Sequence, residues 1–153
     1  MSKSSASLFL VCLPLALVVA STGCSSSDDN NTPSGPVSFR NDVAPVLRNT
    51  CGLSNSCHGS GSTNGVLFAG DPATVRASLV NVKAPQLSTM NFVTPGDPSQ
   101  SYLIHKLDGD QKQFSADCTI ADCGTQMPQG QPALAPSVRD TIRRWITEGA
   151  ADN

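Results

Sequence analysis

The feature that constrains this chain most is the segment Asn49-Thr50-Cys51-Gly52-Leu53-Ser54-Asn55-Ser56-Cys57-His58-Gly59. Two cysteines with a histidine directly after the second form the arrangement that ties a c-type haem to a chain. The sulfurs add to the haem vinyl groups, and the adjacent imidazole takes the iron. The usual spacing is C-x-x-C-H, whereas five residues lie between Cys51 and Cys57. A loop that wide must fold back before both sulfurs can reach one porphyrin. The same residues also read as a disulfide-closed loop without haem, and the segment alone supports both.

The N-terminal stretch reads as an address. Lys3 gives a short positive region, and Leu8 to Ala20 is apolar apart from Pro14. Ser21-Thr22-Gly23-Cys24 follows, so residues 1–23 are expected to be a signal peptide and Cys24 the lipidated first residue. Ordinary cleavage near Ala20 would instead leave Cys24 a thiol. Residues 24–36 contain nothing apolar after Cys24 and are expected to form a disordered tether. One domain, 37–151, then follows. The expected location is the periplasm or cell surface, with membrane contact through the lipid.

Composition narrows the field. The net charge is −2 with basic residues scattered, which argues against a nucleic-acid surface. Aromatics make up 5% while Gly and Pro number 12 and 11, so the core is modest and benefits from staples or a buried cofactor. Of six cysteines, Cys12 lies in the signal and Cys24 carries lipid. In an oxidising compartment the other four make two disulfides, or one haem attachment and one disulfide. Cys118 and Cys123, in one irregular segment, are expected to bond to each other. Pairing with Cys51 or Cys57 is the alternative if no haem is attached. A zinc site of Cys51, Cys57, His58 and Cys118 or Cys123 has enough ligands but needs free thiols.

Hydrophobic spacing places four short helices. Phe39, Val43, Val46 and Leu47 share one face, with Asp42 as N-cap and Pro45 in the first turn. Asp71-Pro72 and Asp97-Pro98 open two more, carrying Val75 and Leu79, then Tyr102, Leu103 and Leu107. Asn81 to Phe92 shows no clean period and reads as loop. Lys112 to Pro132 is irregular. The last helix opens at Pro136 or Ser137 and carries Val138, Ile142, Trp145 and Ile146 on one stripe, ending at Gly149. His105 reads as a residue on a solvated flank, a weak second candidate for iron. Asp108 and Asp110 read as a solvated loop.

In this order, Asp42-Val43-Ala44-Pro45-Val46-Leu47, Cys57-His58-Gly59, Pro95-Gly96-Asp97-Pro98, Ser101-Tyr102-Leu103, Met127-Pro128 and Ile142-Arg143-Arg144-Trp145-Ile146 resemble cytochrome c-like domains, especially the planctomycete type. The likeness runs from about Phe39 to Ala150. It implies a small all-α fold of about four short helices with long irregular loops, the first and last packed together. It also implies one covalent haem c on Cys51 and Cys57, with His58 proximal and Met127 distal. A thioether is a soft ligand that favours ferrous iron, and a His/Met pair fills both axial positions. The expected function is therefore a lipid-anchored electron carrier with a redox partner protein rather than an enzyme. The alternative is a haem-free, disulfide-stapled surface lipoprotein that binds something else.

Overall fold

In the computed structural model, which describes residues 35–59 and 65–153, Ser38 rather than Asp42 opens the first helix. Ser38 Oγ accepts from the Asn41 N–H at 3.2 Å, while the Asp42 carboxylate accepts from the Ser38 N–H at 2.8 Å. This is reciprocal capping, and it starts the helix a turn earlier than Asp42 alone would. The first turn, Phe39–Val43, is a wide π-type turn closed by the Ala44 N–H on the Phe39 carbonyl. Pro45, which has no N–H to give, follows directly, and α1 continues over Ala44–Thr50. The signal segment, Cys24 and most of the tether lie outside the described residues.

Helix α2 (Pro72–Ala77) begins as its sequence requires. The Asp71 carboxylate accepts from the Thr74 N–H at 3.1 Å, Pro72 takes the first turn, and Val75 is buried. Leu79 follows it into the core.

The all-α expectation fails in the next segment. Lys83–Ala84 (β1) and Leu87–Asn91 (β2) form a two-stranded antiparallel sheet around a Pro85-Gln86 turn, where a loop was expected. Ala84 pairs with Leu87 but Lys83 pairs with Asn91, so β2 bulges strongly between the two pairs. Leu87 and Met90 point inward while Ser88 and Thr89 are exposed. That breaks the two-residue alternation by which a strand is recognised. With four α-helices among the described residues, the chain is a small mixed fold.

Asp97 caps only a single 3-10 turn, Pro98–Gln100, through a 3.2 Å bond from the Gln100 N–H. Helix α3 (Tyr102–Asp108) starts afresh after Ser101, and every side chain from Tyr102 to Leu107 is buried. A helix covered on all sides has no solvated flank. His105 is accordingly 8% exposed, not on the surface. Its Nδ1 lies 2.8 Å from Asp110, its Nε2 lies 3.0 Å from the Ser99 carbonyl, and its ring meets Phe114 edge-on at 4.7 Å. Both nitrogens serve structure. Asp108 is not in a solvated loop either. It holds Arg139 at 2.5 Å and Arg143 at 2.6 Å, tying α3 to the last helix.

That helix, α4 (Pro136–Thr147), buries Ile142, Trp145 and Ile146 and leaves Val138 half-buried. Gly149 turns the chain at φ +98°, a conformation that favours glycine. The first and last helical segments meet where Phe39 and Trp145 stack with ring centroids 4.8 Å apart. The Val37 N–H donates to Glu148 at 2.7 Å and the Phe39 N–H to Asn153 Oδ1 at 2.9 Å, closing the seam. Among the described residues no helix is long and apolar enough to cross a membrane.

Candidate functional site

Two cavities adjoin under the Cys51–Gly59 loop. The inner one, about 50 Å³, is walled by apolar side chains including Val66, Phe68, Leu79, Phe92, Leu103 and Leu107. The outer one, about 480 Å³, lies between the cysteine loop and residues 127–134 and falls in the size range of small-molecule sites. Cys51, His58 and Met127 belong to the walls of both. Cys57 lines the outer one. All four residues expected around a cofactor thus face one cleft. His105 does not.

Each reaches its place for a local reason. The Cys51–Gly59 loop folds back on itself: the Cys57 and Gly59 N–H groups both donate to the Ser54 carbonyl, at 3.1 and 2.9 Å. The His58 N–H donates to the Cys51 carbonyl at 3.0 Å, which brings the ends of the wide spacing together. Gly59 is required, since a Cβ there would lie 2.6 Å from the Ser54 oxygen. Val66-Leu67-Phe68 anchors the loop. The Phe68 N–H donates to the His58 carbonyl at 2.7 Å, and the His58 ring stands edge-on to Phe68 at 5.3 Å.

Met127 is set by the end of α3. The last carbonyls of a helix need donors from outside it. Here the Met127 N–H donates to the Lys106 carbonyl at 2.8 Å, and Gln126 Nε2 donates to the Leu107 carbonyl at 3.2 Å. Gly109, at φ +80°, ends the helix and lets Gln126 approach, because a Cβ there would meet it at 2.8 Å. Capping the helix therefore delivers the thioether to the cleft.

The two cysteines differ. Cys51 is buried, its sulfur 3.3 Å from Thr50 Oγ1, and burial pushes its thiol pKa up. Cys57 is exposed. Cys118 and Cys123 sit at bonding distance, with Cα atoms 5.3 Å apart. That withdraws both from the zinc set, and among the described residues no three His, Cys, Asp or Glu side chains are grouped to hold a metal ion.

The inner cavity also contains residues that sequence reasoning did not assign to a site: Lys106, Tyr102 and Gln86. Lys106 Nζ donates to the Cys123 carbonyl at 2.9 Å, and the Tyr102 hydroxyl lies 2.9 Å from that carbonyl and from Gln86 Oε1. Burial alone pushes the Lys106 amine down to about 8 and the Tyr102 phenol up to about 12. The signal was present in the spacing. Tyr102, Leu103, Lys106 and Leu107 fall at i, i+1, i+4 and i+5, so Lys106 shares the face of the expected apolar row. No family model, curated protein or solved structure matches this chain.

Proposed function

We propose that this protein binds one haem c in the cleft and transfers single electrons to a partner protein, held at a membrane by lipid on Cys24. One observation carries the reading: Met127, far from the cysteine loop in sequence, walls the same two cavities as Cys51 and His58, and Cys57 lines the outer one beside them. The donor set suits the group. The inner walls are apolar, imidazole and thioether are established ligands of haem iron, and two thiols are at hand. When bound, haem supplies one-electron exchange between ferric and ferrous iron.

The protein's own contribution is attachment, ligation and exclusion of water. Cys51 and Cys57 would each add S–H across a vinyl C=C, sulfur going to one carbon and hydrogen to the other, with no atom leaving and no oxidant needed. His58 and Met127 would hold the iron. A histidine and a methionine holding the iron together would suit carriage of electrons rather than catalysis. The likeness to cytochrome c-like motifs supports this reading, although the fold is mixed.

The test is expression of the full chain in a host with cytochrome c maturation machinery. The denatured mass should rise by one intact haem that acid and solvent do not extract. A colourless protein, lighter only by the hydrogens of its disulfides, would replace this reading with the haem-free surface lipoprotein. In the loaded protein, Met127→Ala should lower the reduction potential and alter the low-spin spectrum with haem still attached. An unchanged spectrum would remove Met127 from the iron. Cys24→Ser should move the protein from the membrane fraction to the soluble one, and a wild type that is already soluble would end the lipid claim.

A further inference from the structure

Lys106 is a buried cation without a counter-ion. It is 6% exposed, its Nζ makes one hydrogen bond to the Cys123 carbonyl, and it stands 5.8 Å from the Tyr102 ring centroid. None of the ion pairs among the described residues includes it. No Asp or Glu lines either cavity. An ammonium has three donors, and burying it beside one neutral carbonyl is costly unless an anion accompanies it. Structural buried lysines are normally paired within the protein. Lys106 lines the inner cavity, from which a further acceptor can reach it.

We propose that Lys106 recognises a carboxylate on an otherwise apolar ligand of this cleft and, resting on the haem reading above, that this carboxylate is a haem propionate. The surroundings fit that class of ligand. Apolar walls take the hydrophobic body, and the polar groups of the inner cavity gather at Lys106, Tyr102 and Gln86. The same residue works twice: its backbone carbonyl fixes Met127 at 2.8 Å, and its ammonium meets the carboxylate. Lys106 is thus a positioning residue that sets the polar edge of the ligand relative to the thioether. The Cys118–Cys123 loop supports it, because the carbonyl that steadies the ammonium belongs to Cys123.

Full-length wild type and the variants Lys106→Met, Lys106→Gln and Lys106→Arg would be expressed with maturation machinery. In haem-loaded protein, Lys106→Met and Lys106→Gln should lower the reduction potential, since the more electron-rich state loses a neighbouring positive charge. Lys106→Arg should restore it. Potentials equal to wild type in both neutral variants overturn the Lys106 assignment and leave the haem reading standing. If wild type is colourless, the haem reading fails, and calorimetry with dodecanoate and dodecanol on the same protein separates the two ideas. A tenfold or greater preference for dodecanoate, lost in Lys106→Gln, upholds carboxylate recognition with a free acid as its source. Equal affinity for both probes, or no binding of either, overturns it. Gln can still donate a hydrogen bond, so it provides the reading if the Met variant does not fold.

Discussion

The Cys51–Gly59 loop is closed mostly by its own backbone, whereas the Cys118–Gly124 loop is held by side chains from other elements. In the first, Ser54 and Cys51 carbonyls collect the N–H groups of Cys57, Gly59 and His58, and the Phe68 N–H is an outside tie. In the second, the Cys123 carbonyl receives Lys106 and Tyr102, the Gly124 carbonyl receives Gln111 at 3.0 Å, and the Thr119 N–H reaches the Gln86 carbonyl at 2.9 Å. The second loop also stores strain. Asp122 and Cys123 have φ of +53° and +56°, which costs on the order of 1–3 kcal/mol for each non-glycine residue. A covalent bond and four anchors hold that conformation. No residue from Cys51 to Gly59 has a positive φ, and that loop leaves two sulfurs on the cleft. Near-equal cysteine spacing therefore gives a bonded pair in one loop and two free thiols in the other, and the neighbours decide which.

The largest effect should come from opening the anchored loop. Cys118→Ser with Cys123→Ser should lower stability by about 2–4 kcal/mol in denaturant unfolding. Cys57→Ser in haem-free protein, at an exposed position, should stay within about 0.5 kcal/mol of wild type. Equal losses would erase the distinction between the loops.

Gly59→Ala tests the self-closed loop directly. The added Cβ meets backbone, not a flexible side chain, so a cost of about 1–3 kcal/mol is expected, with the loop displaced from the cleft. A variant as stable as wild type would show that the Ser54 contact is not needed.

Alkylation of unreduced, haem-free protein should label Cys57 first and Cys51 much later, with Cys118 and Cys123 untouched. Cys51 is slowed twice, by burial and by the smaller thiolate fraction that a raised pKa leaves at a given pH. Peptide mapping reads the order, and early labelling at Cys51 would contradict its burial.

The smallest effect concerns acid, to which neither loop owes its closure. The Val37 N–H holds the Glu148 carboxyl below its ordinary pKa, with Arg144 assisting. A depressed carboxylate stabilises the fold above the usual range near 4.3 and loses that contribution as pH falls through its lower folded value. Thermal unfolding of Glu148→Gln should therefore vary less with pH below that range than wild type. An identical slope would place the acid sensitivity elsewhere.

The four residues singled out by type and order, Cys51, Cys57, His58 and Met127, come to one cleft. Cys57-His58 and Met127 needed only their types and neighbours to be singled out, and the short cap Asp71-Pro72 behaved as its sequence dictates. The strand pair could not be read, because the β2 bulge spaces Leu87 and Met90 three residues apart. His105 and Asp108 are less solvated than their sequence suggests, for one shared reason. Polar residues on a short helix look solvated until other elements close over them, and His105 and Lys106 are buried only because the chain packs around α3 on every side.

By itself the sequence determined the local conformations and the chemical inventory: helix starts set by side-chain caps, and which sulfurs, imidazoles and thioethers the chain possesses. Tertiary structure alone decided which of them share a cavity and that Lys106 is buried beside Met127. The reason is range. Capping and turn energies act over three or four residues, whereas burial and the search for a counter-charge depend on segments that become neighbours only after folding.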